Sequence, residues 1–212
     1  MPAASGSWLR TGSLLVAATL CLWLAACDRG QPPLPPLGSD DVVLAFGDSI
    51  TYGVGAPSES ETYPEVLAGL IGRSVVRDGV PGEVTAQGLE RLPASLDEHQ
   101  PKLLLLCLGG NDMLRDLDPA ATEANLREMV KLARSRGVAV VLIAVPRPRL
   151  IGGAAELYRR VADELDVPLE DEVLVDVLRD NQYKSDMIHP NTLGYRKLAQ
   201  ALADLLHSAG AI

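Results

Sequence analysis

VVLAFGDSIT, residues 42–51, is a short apolar run that stops on a glycine, an acid and a hydroxyl. Val42 to Phe46 is continuously apolar rather than alternating, as expected of a strand buried on both faces of a parallel sheet. Gly47 suits a hinge after such a strand, and Asp48-Ser49 suits the N-cap of a following helix. Whether Ser49 is more than part of a cap depends on what the rest of the chain brings to it.

Working outward, three further runs follow, the stronger of them also continuously apolar: SVVR (74–77), KLLLLCL (102–108) and VAVVLIAV (138–145). Amphipathic segments separate them. Tyr63, Val66, Leu67 and Leu70 share a helical face that Gly72 ends. Leu89, Leu92 and Leu96 share another, which Pro93 is expected to kink or split. Asp118-Pro119 reads as an N-cap with Pro at N1, opening a stripe of Leu126, Met129, Val130 and Ala133 that closes on cations before Gly137. Leu157, Val161 and Leu165 make a further stripe, and Tyr195, Leu198, Leu202, Leu205 and Ala209 the last. Strand–helix alternation with right-handed crossovers predicts an α/β protein, a three-layer α/β/α sandwich. In such sheets ligands bind outside the carboxyl ends of the strands.

The chain has 212 residues, 47 % hydrophobic and 22 % charged, enough for one sizeable core. The formal charge of −9 and the lack of a basic stripe argue against a nucleic-acid partner. Before residue 41 the chain reads differently. Arg10 precedes the apolar run LLVAATLCLWLAA (14–26), whose length suits a signal-peptide core and is short for a membrane span. Leu24-Ala25-Ala26-Cys27 resembles a bacterial lipobox. That resemblance implies removal of residues 1–26, lipidation of Cys27 and anchoring on the periplasmic side of the cell envelope. Asp28 implies retention in the inner membrane. A soluble periplasmic or secreted form is the alternative. Loss of residues 1–26 removes one cation, Arg10, and no acid, and leaves Cys107 as the one thiol of the folded part, a buried small hydrophobe. Residues 27–40 then form the lipidated N-terminus and a Pro-rich spacer, and residues 41–212 the single domain, expected to be monomeric.

Four segments fall at strand ends or helix entries on one predicted rim: Ser49 in GDSIT, Gly82 in GVPGEVT, Asn111 in GGND, and Asp186 with His189 in DMIHPN. In this order they resemble the SGNH (GDSL-type) serine hydrolases, across nearly all of residues 41–209. GLERLPASLDEHQPKLLLLCLGGND (88–112) is similar to the thioesterase I and arylesterase branch. The resemblance implies a flavodoxin-like parallel sheet and hydrolysis of carboxylic esters or thioesters: aryl esters, short and medium acyl esters, acyl-thioesters and lysophospholipids. In one respect the chain departs from the family. Pro81 and Glu83 flank Gly82 where Ser and Asp are common, which bears on where the Gly82 N–H points.

The roles also follow from the residue types. A serine hydroxyl needs an adjacent base at neutral pH. Of the three histidines, His99 lies in a polar turn and His207 at a helix end, both structural positions, and His189 lies in a rim loop. Asp186, three residues before His189, is placed to orient the imidazole; Asp48 is the rival acid but adjoins Ser49 and is expected to shape its turn. The backbone N–H of Ser49, the backbone N–H of Gly82 and the Asn111 side-chain amide are the oxyanion donors, as the resemblance also implies. Pro190 restrains His189, and Asn191 or Thr192 caps the last helix.

No metal or cofactor is indicated: there is no His-x-x-x-His, no Cys-x-x-Cys, and no phosphate-loop lysine in GVGAPSESE, which is expected to be a mobile lid beside the site. Without tryptophan in the mature domain there is no stacking platform for sugars, so a carbohydrate O-acetylesterase is the weaker enzyme alternative. A non-catalytic α/β binding lipoprotein is the alternative from another class; a phospho-receiver module would need clustered acids after the first strand, where Asp48 stands nearly alone. Arg147 and Arg149 are candidates for contact with an anionic headgroup.

Overall fold

The computed structural model describes residue 1 and residues 31–146 and 156–212. The chain divides into two units, Met1–Gly30 and Gln31–Ile212, and every assigned element lies in the second. Residues 2–30, with Cys27, and residues 147–155, with Arg147 and Arg149, lie outside the described residues.

Five parallel strands form one sheet in the order β2-β1-β3-β4-β5: β1 (Val42–Gly47), β2 (Ser74–Gly79), β3 (Leu103–Cys107), β4 (Ala139–Ile143) and β5 (Leu169–Glu170). Val43 to Phe46, all of β3 and Val140 to Ile143 are buried, which is why these runs are apolar without alternation. From β1 the chain moves outward to β2; from β3 it moves the opposite way to β4 and β5. With right-handed crossovers, opposite directions of travel place connecting helices on opposite faces. Accordingly α2 (Tyr63–Ile71) packs against α8 (Thr192–Ser208), whereas α3 (Thr85–His99), α5 (Pro119–Ser135) and α6 (Glu156–Leu165) pack in series. Two short helices, α1 (Ser49–Tyr52) and α4 (Gly110–Leu114), start just beyond β1 and β3, and α7 (Val173–Arg179) precedes the loop that carries Asp186 and His189. The reversal of direction between β1 and β3 opens a crevice at their carboxyl ends, where the strand order switches.

Several expectations change. The Pro-rich segment is not a free spacer over its whole length, and the folded unit starts at Gln31 rather than at residue 41. In QPPLPPLG the prolines carry no N–H, and a three-residue period puts Leu34 and Leu37 on one side. Both leucines are buried, and their N–H groups donate to Ala209 O and Ala211 O, each at 2.8 Å. The Gln31 side-chain amide pairs with both backbone groups of Leu169 at 3.1 Å, covering part of the β5 edge.

Pro93 does not split its helix; α3 is continuous over fifteen residues. Proline removes one i→i−4 bond, but the buried Leu92 and Leu96 hold the helix on the sheet through that point. On α2 the buried stripe is Tyr63, Leu67 and Ile71, while Leu70 is half exposed, so the face turns on an i, i+4, i+8 row. β5 is a strand that the hydrophobic runs did not reveal, because two half-buried edge residues make no run.

Among the described residues no helix is long and apolar enough to cross a membrane.

Candidate active site

Asp48 follows β1 and caps α1: its Oδ1 accepts the Ile50 N–H at 3.1 Å. That turn places Ser49 as the first residue of α1, at the mouth of the crevice. On the other side, residues 184–190 form a tight hairpin, with the Ser185 N–H donating to His189 O at 2.9 Å and an antiparallel bridge between Lys184 and Pro190. Asn191 then caps α8, accepting from the N–H groups of Leu193 and Gly194.

Within this hairpin Asp186 Oδ1 accepts the N–H groups of Ile188 and His189 at 2.8 and 2.9 Å, and its Oδ2 lies 2.8 Å from His189 Nδ1. His189 Nε2 in turn lies 2.9 Å from Ser49 Oγ, across 140 positions of sequence. Partial burial works to raise the Asp186 pKa, but the bonds from His189 and from the two backbone N–H groups outweigh it and hold the carboxyl below its ordinary value. The carboxylate remains charged at neutral pH and favours the tautomer with Nδ1 protonated, which leaves Nε2 as an acceptor facing Ser49 Oγ. His99 and His207 are in helix ends and make no bond to this group.

The three candidate oxyanion donors are arranged unequally. Among the described residues the N–H groups of Ser49 and Gly82 have no acceptor. Gly82 has φ +83°, a left-handed conformation that glycine adopts without strain and that turns its peptide where a side-chain-bearing residue would resist. Asn111 has both amide protons engaged: Nδ2 donates to Asp48 Oδ2 and to Glu83 O, each at 3.0 Å. A developing oxyanion would therefore compete with the neutral Glu83 carbonyl, the weaker of the two acceptors.

Asp48 makes no hydrogen bond to His189; its carboxylate is bonded to Ile50 and Asn111. It is 2 % exposed and its pKa is raised to about 6, chiefly because burial withdraws the carboxylate from water; the bonds from Ile50 and Asn111 and the charge of His189 oppose the rise. The acid that seemed only to shape the serine turn also holds the Asn111 amide.

Two features escaped sequence reasoning. Glu83, flanking Gly82 where the family often has Asp, is buried and receives both Nε and Nη2 of Arg91 at 2.8 Å. Arg91, on α3, also pairs with Asp78 at the end of β2 and lies over the Phe46 ring. This clamp ties the Gly82 turn to the first helix behind it; Glu83 and Arg91 eight positions apart across a helix start were the available signal. Arg115 Nη2 donates to Gly82 O at 2.7 Å from the other side. Asp112, the acid of GGND, is buried and accepts from Thr85 N, Thr85 Oγ1 and Thr122 Oγ1, joining the second and third segments. The segment GVGAPSESE is tied to its surroundings at three points: Tyr195 OH donates to Val54 O at 2.7 Å, Thr192 Oγ1 to Glu61 Oε2 at 2.5 Å, and Arg77 Nη2 to Glu59 Oε1 at 2.6 Å.

Residues 45–197 match the family model described as the GDSL-like Lipase/Acylhydrolase family. The chain is 35 % identical over 159 residues to the Thioesterase 1/protease 1/lysophospholipase L1 of Escherichia coli (strain K12), covering 71 % of this chain and 76 % of that protein. It is 29 % identical to the Arylesterase of Vibrio mimicus, over 79 % and 89 % of the two chains. The crystal structure of TesA superposes with a TM-score of 0.70 at 28 % identity, covering 80 % of this chain and 99 % of that one. The matched span takes in the serine turn, both glycine-bearing loops and the histidine hairpin, and with that the chain belongs to the GDSL-like lipase/acylhydrolase family.

Proposed function

We propose that Ser49, His189 and Asp186 carry out ester and thioester hydrolysis through an acyl-serine intermediate. Ser49 Oγ attacks the acyl carbonyl while His189 Nε2 takes its proton. The carbonyl oxygen becomes an oxyanion facing the N–H groups of Ser49 and Gly82 and the Asn111 amide. As the tetrahedral intermediate collapses, His189 returns the proton to the leaving alkoxide or thiolate. Water, activated by His189, then releases the acid by the same sequence. The observation that carries this is the unbroken chain of contacts from Ser49 Oγ to His189 Nε2 at 2.9 Å and from His189 Nδ1 to Asp186 Oδ2 at 2.8 Å. Exposed Val80, Leu114 and Met187, near Gly82, Asn111 and His189 in sequence, favour short and medium acyl groups over an acetylated glycan. A fluorophosphonate probe is expected to label the wild type and to leave Ser49→Ala unlabelled. Equal labelling of both overturns the assignment of the nucleophile.

The second part of the proposal concerns place. Leu24-Ala25-Ala26-Cys27 supports cleavage after Ala26 and lipidation of Cys27, and Asp28 supports retention on the periplasmic face of the inner membrane. Expressed in bacterial cells, the wild type is expected in the membrane fraction and Cys27→Ser in the soluble fraction or retained as the uncleaved precursor. Mature, soluble wild type lacking a lipid mass on its N-terminal peptide overturns it.

A further inference from the structure

The segment after Ser49 does more than close over the crevice. α1 ends at Tyr52, and three residues later Gly55 lies directly against the hairpin that bears His189. A Cβ built at position 55 would overlap Ser185 Oγ and the Pro190 carbonyl oxygen and crowd Ser185 Cβ at 3.0 Å. Ser185 Oγ could rotate aside. The Pro190 carbonyl is backbone, on the residue next to His189, and Asn191 and α8 fix it from behind. Ser185 is itself bonded to His189 O through both its N–H and its hydroxyl, at 2.9 and 3.2 Å. Gly55 is held in place in turn, since the Tyr195 hydroxyl on α8 grips Val54 O.

We propose that Gly55 is a positioning residue: its bare Cα is the stop against which the histidine hairpin rests, and so sets the gap between Ser49 Oγ and His189 Nε2. This rests on the proposed Ser49–His189 pair. The nucleophile and the stop lie on one short stretch, six residues apart, so the catalytic gap is gauged locally rather than through the sheet. A hydrogen bond of 2.9 Å has little slack. A methyl group at 55 forces Pro190 O away by several tenths of an ångström or more and carries His189 with it.

Gly55→Ala tests this by kcat and KM on a p-nitrophenyl ester and by the rate of fluorophosphonate labelling, on protein shown to be folded by its thermal transition. Because Gly55 has φ +95°, an alanine there is also strained. Gly72→Ala is the control, with φ +63° and nothing within 4 Å of a built Cβ. The expected result is a loss of roughly 10- to 100-fold in both kcat and labelling rate for Gly55→Ala, with KM within about twofold, while Gly72→Ala keeps wild-type kinetics. Should Gly55→Ala fail to fold, Tyr195→Phe decides: releasing Val54 O is expected to lower kcat a few-fold, with KM unchanged. Wild-type kcat and labelling in folded Gly55→Ala, an equal loss in Gly72→Ala, or an effect confined to KM overturns the proposal. So does an unaltered kcat in Tyr195→Phe when Gly55→Ala does not fold. Labelling of Ser49→Ala at the wild-type rate would instead remove the pair on which it rests.

Discussion

His189→Ala is expected to lower kcat by about four to six orders of magnitude while KM changes little. The size of the effect follows from there being no substitute base. Among the described residues His99 and His207 lie in helix ends away from Ser49, and Asp48, the nearest other acid, faces Ile50 and Asn111. Without the imidazole the serine proton must go to water, and the leaving group departs unprotonated. The fold itself should be untouched. The hairpin is closed by backbone bonds from Ser185 to His189 O and by Asp186 accepting two N–H groups, none of which needs the ring. Steady-state kinetics on a p-nitrophenyl ester, with a thermal melt beside it, measures both. A kcat within tenfold of wild type would mean that His189 is not the base.

Asn111→Ala is the second large effect, a loss in kcat of about 10²- to 10³-fold with KM nearly unchanged, because the oxyanion exists only beyond the ground state. This variant carries a signature in stability as well. It strips Asp48 Oδ2 of its donor inside a buried site, which costs about 1–3 kcal/mol while Asp48 is charged. The Asp48 pKa, raised to about 6 from 3.8, gives the sign. Between those values the folded state holds a proton that the unfolded state has lost, so stability falls as pH rises through the window and the burden is complete above pH 6. The destabilisation by Asn111→Ala is therefore expected to be large at pH 8 and to shrink at pH 5, read by urea midpoints. Asp48→Asn is the counterpart. It removes the pH-dependent burden, worth up to about 3 kcal/mol for a shift of this size. It also sets one amide NH₂ against another at Asn111, so kcat should fall even as the protein gains stability above pH 6. An Asp48→Asn enzyme with wild-type kcat would show that Asp48 does not aim the Asn111 amide.

The parts that the sequence made legible are those encoded by continuous or strongly periodic residues. β1, β3 and β4 are buried on both faces and so appear as unbroken apolar runs; α5 and α8 announce their starts with Asp118-Pro119 and Asn191. The Asp186–His189 pair was readable because it is local to one hairpin. Position on a common rim was then enough to bring Ser49 and Asn111 to it. What stayed hidden depends on partners far away in sequence. Gln31, Leu34 and Leu37 are ordered by Leu169, Ala209 and Ala211, and nothing in a proline-rich stretch names those acceptors. β5 owes its existence to pairing with β4 rather than to its own composition. Glu83 looked like a departure from a family pattern until Arg91 supplied its partner. GVGAPSESE, small and polar, names none of its partners, yet α8 and Arg77 bond to it. In each case a tertiary contact from a residue far away in sequence overrides the local preference of the segment.

The central claim is that Ser49 and His189 act as one unit, and a double-mutant cycle tests it most directly. The kcat of Ser49→Ala, His189→Ala and the combined variant is measured on one p-nitrophenyl ester at one pH, above the uncatalysed background. Groups that share a single proton transfer are grossly non-additive, so the combined variant should be no slower than either single one. If the two losses instead multiply, or if either single variant retains wild-type turnover, the serine and the imidazole do not work together and the mechanism drawn from their 2.9 Å contact is wrong.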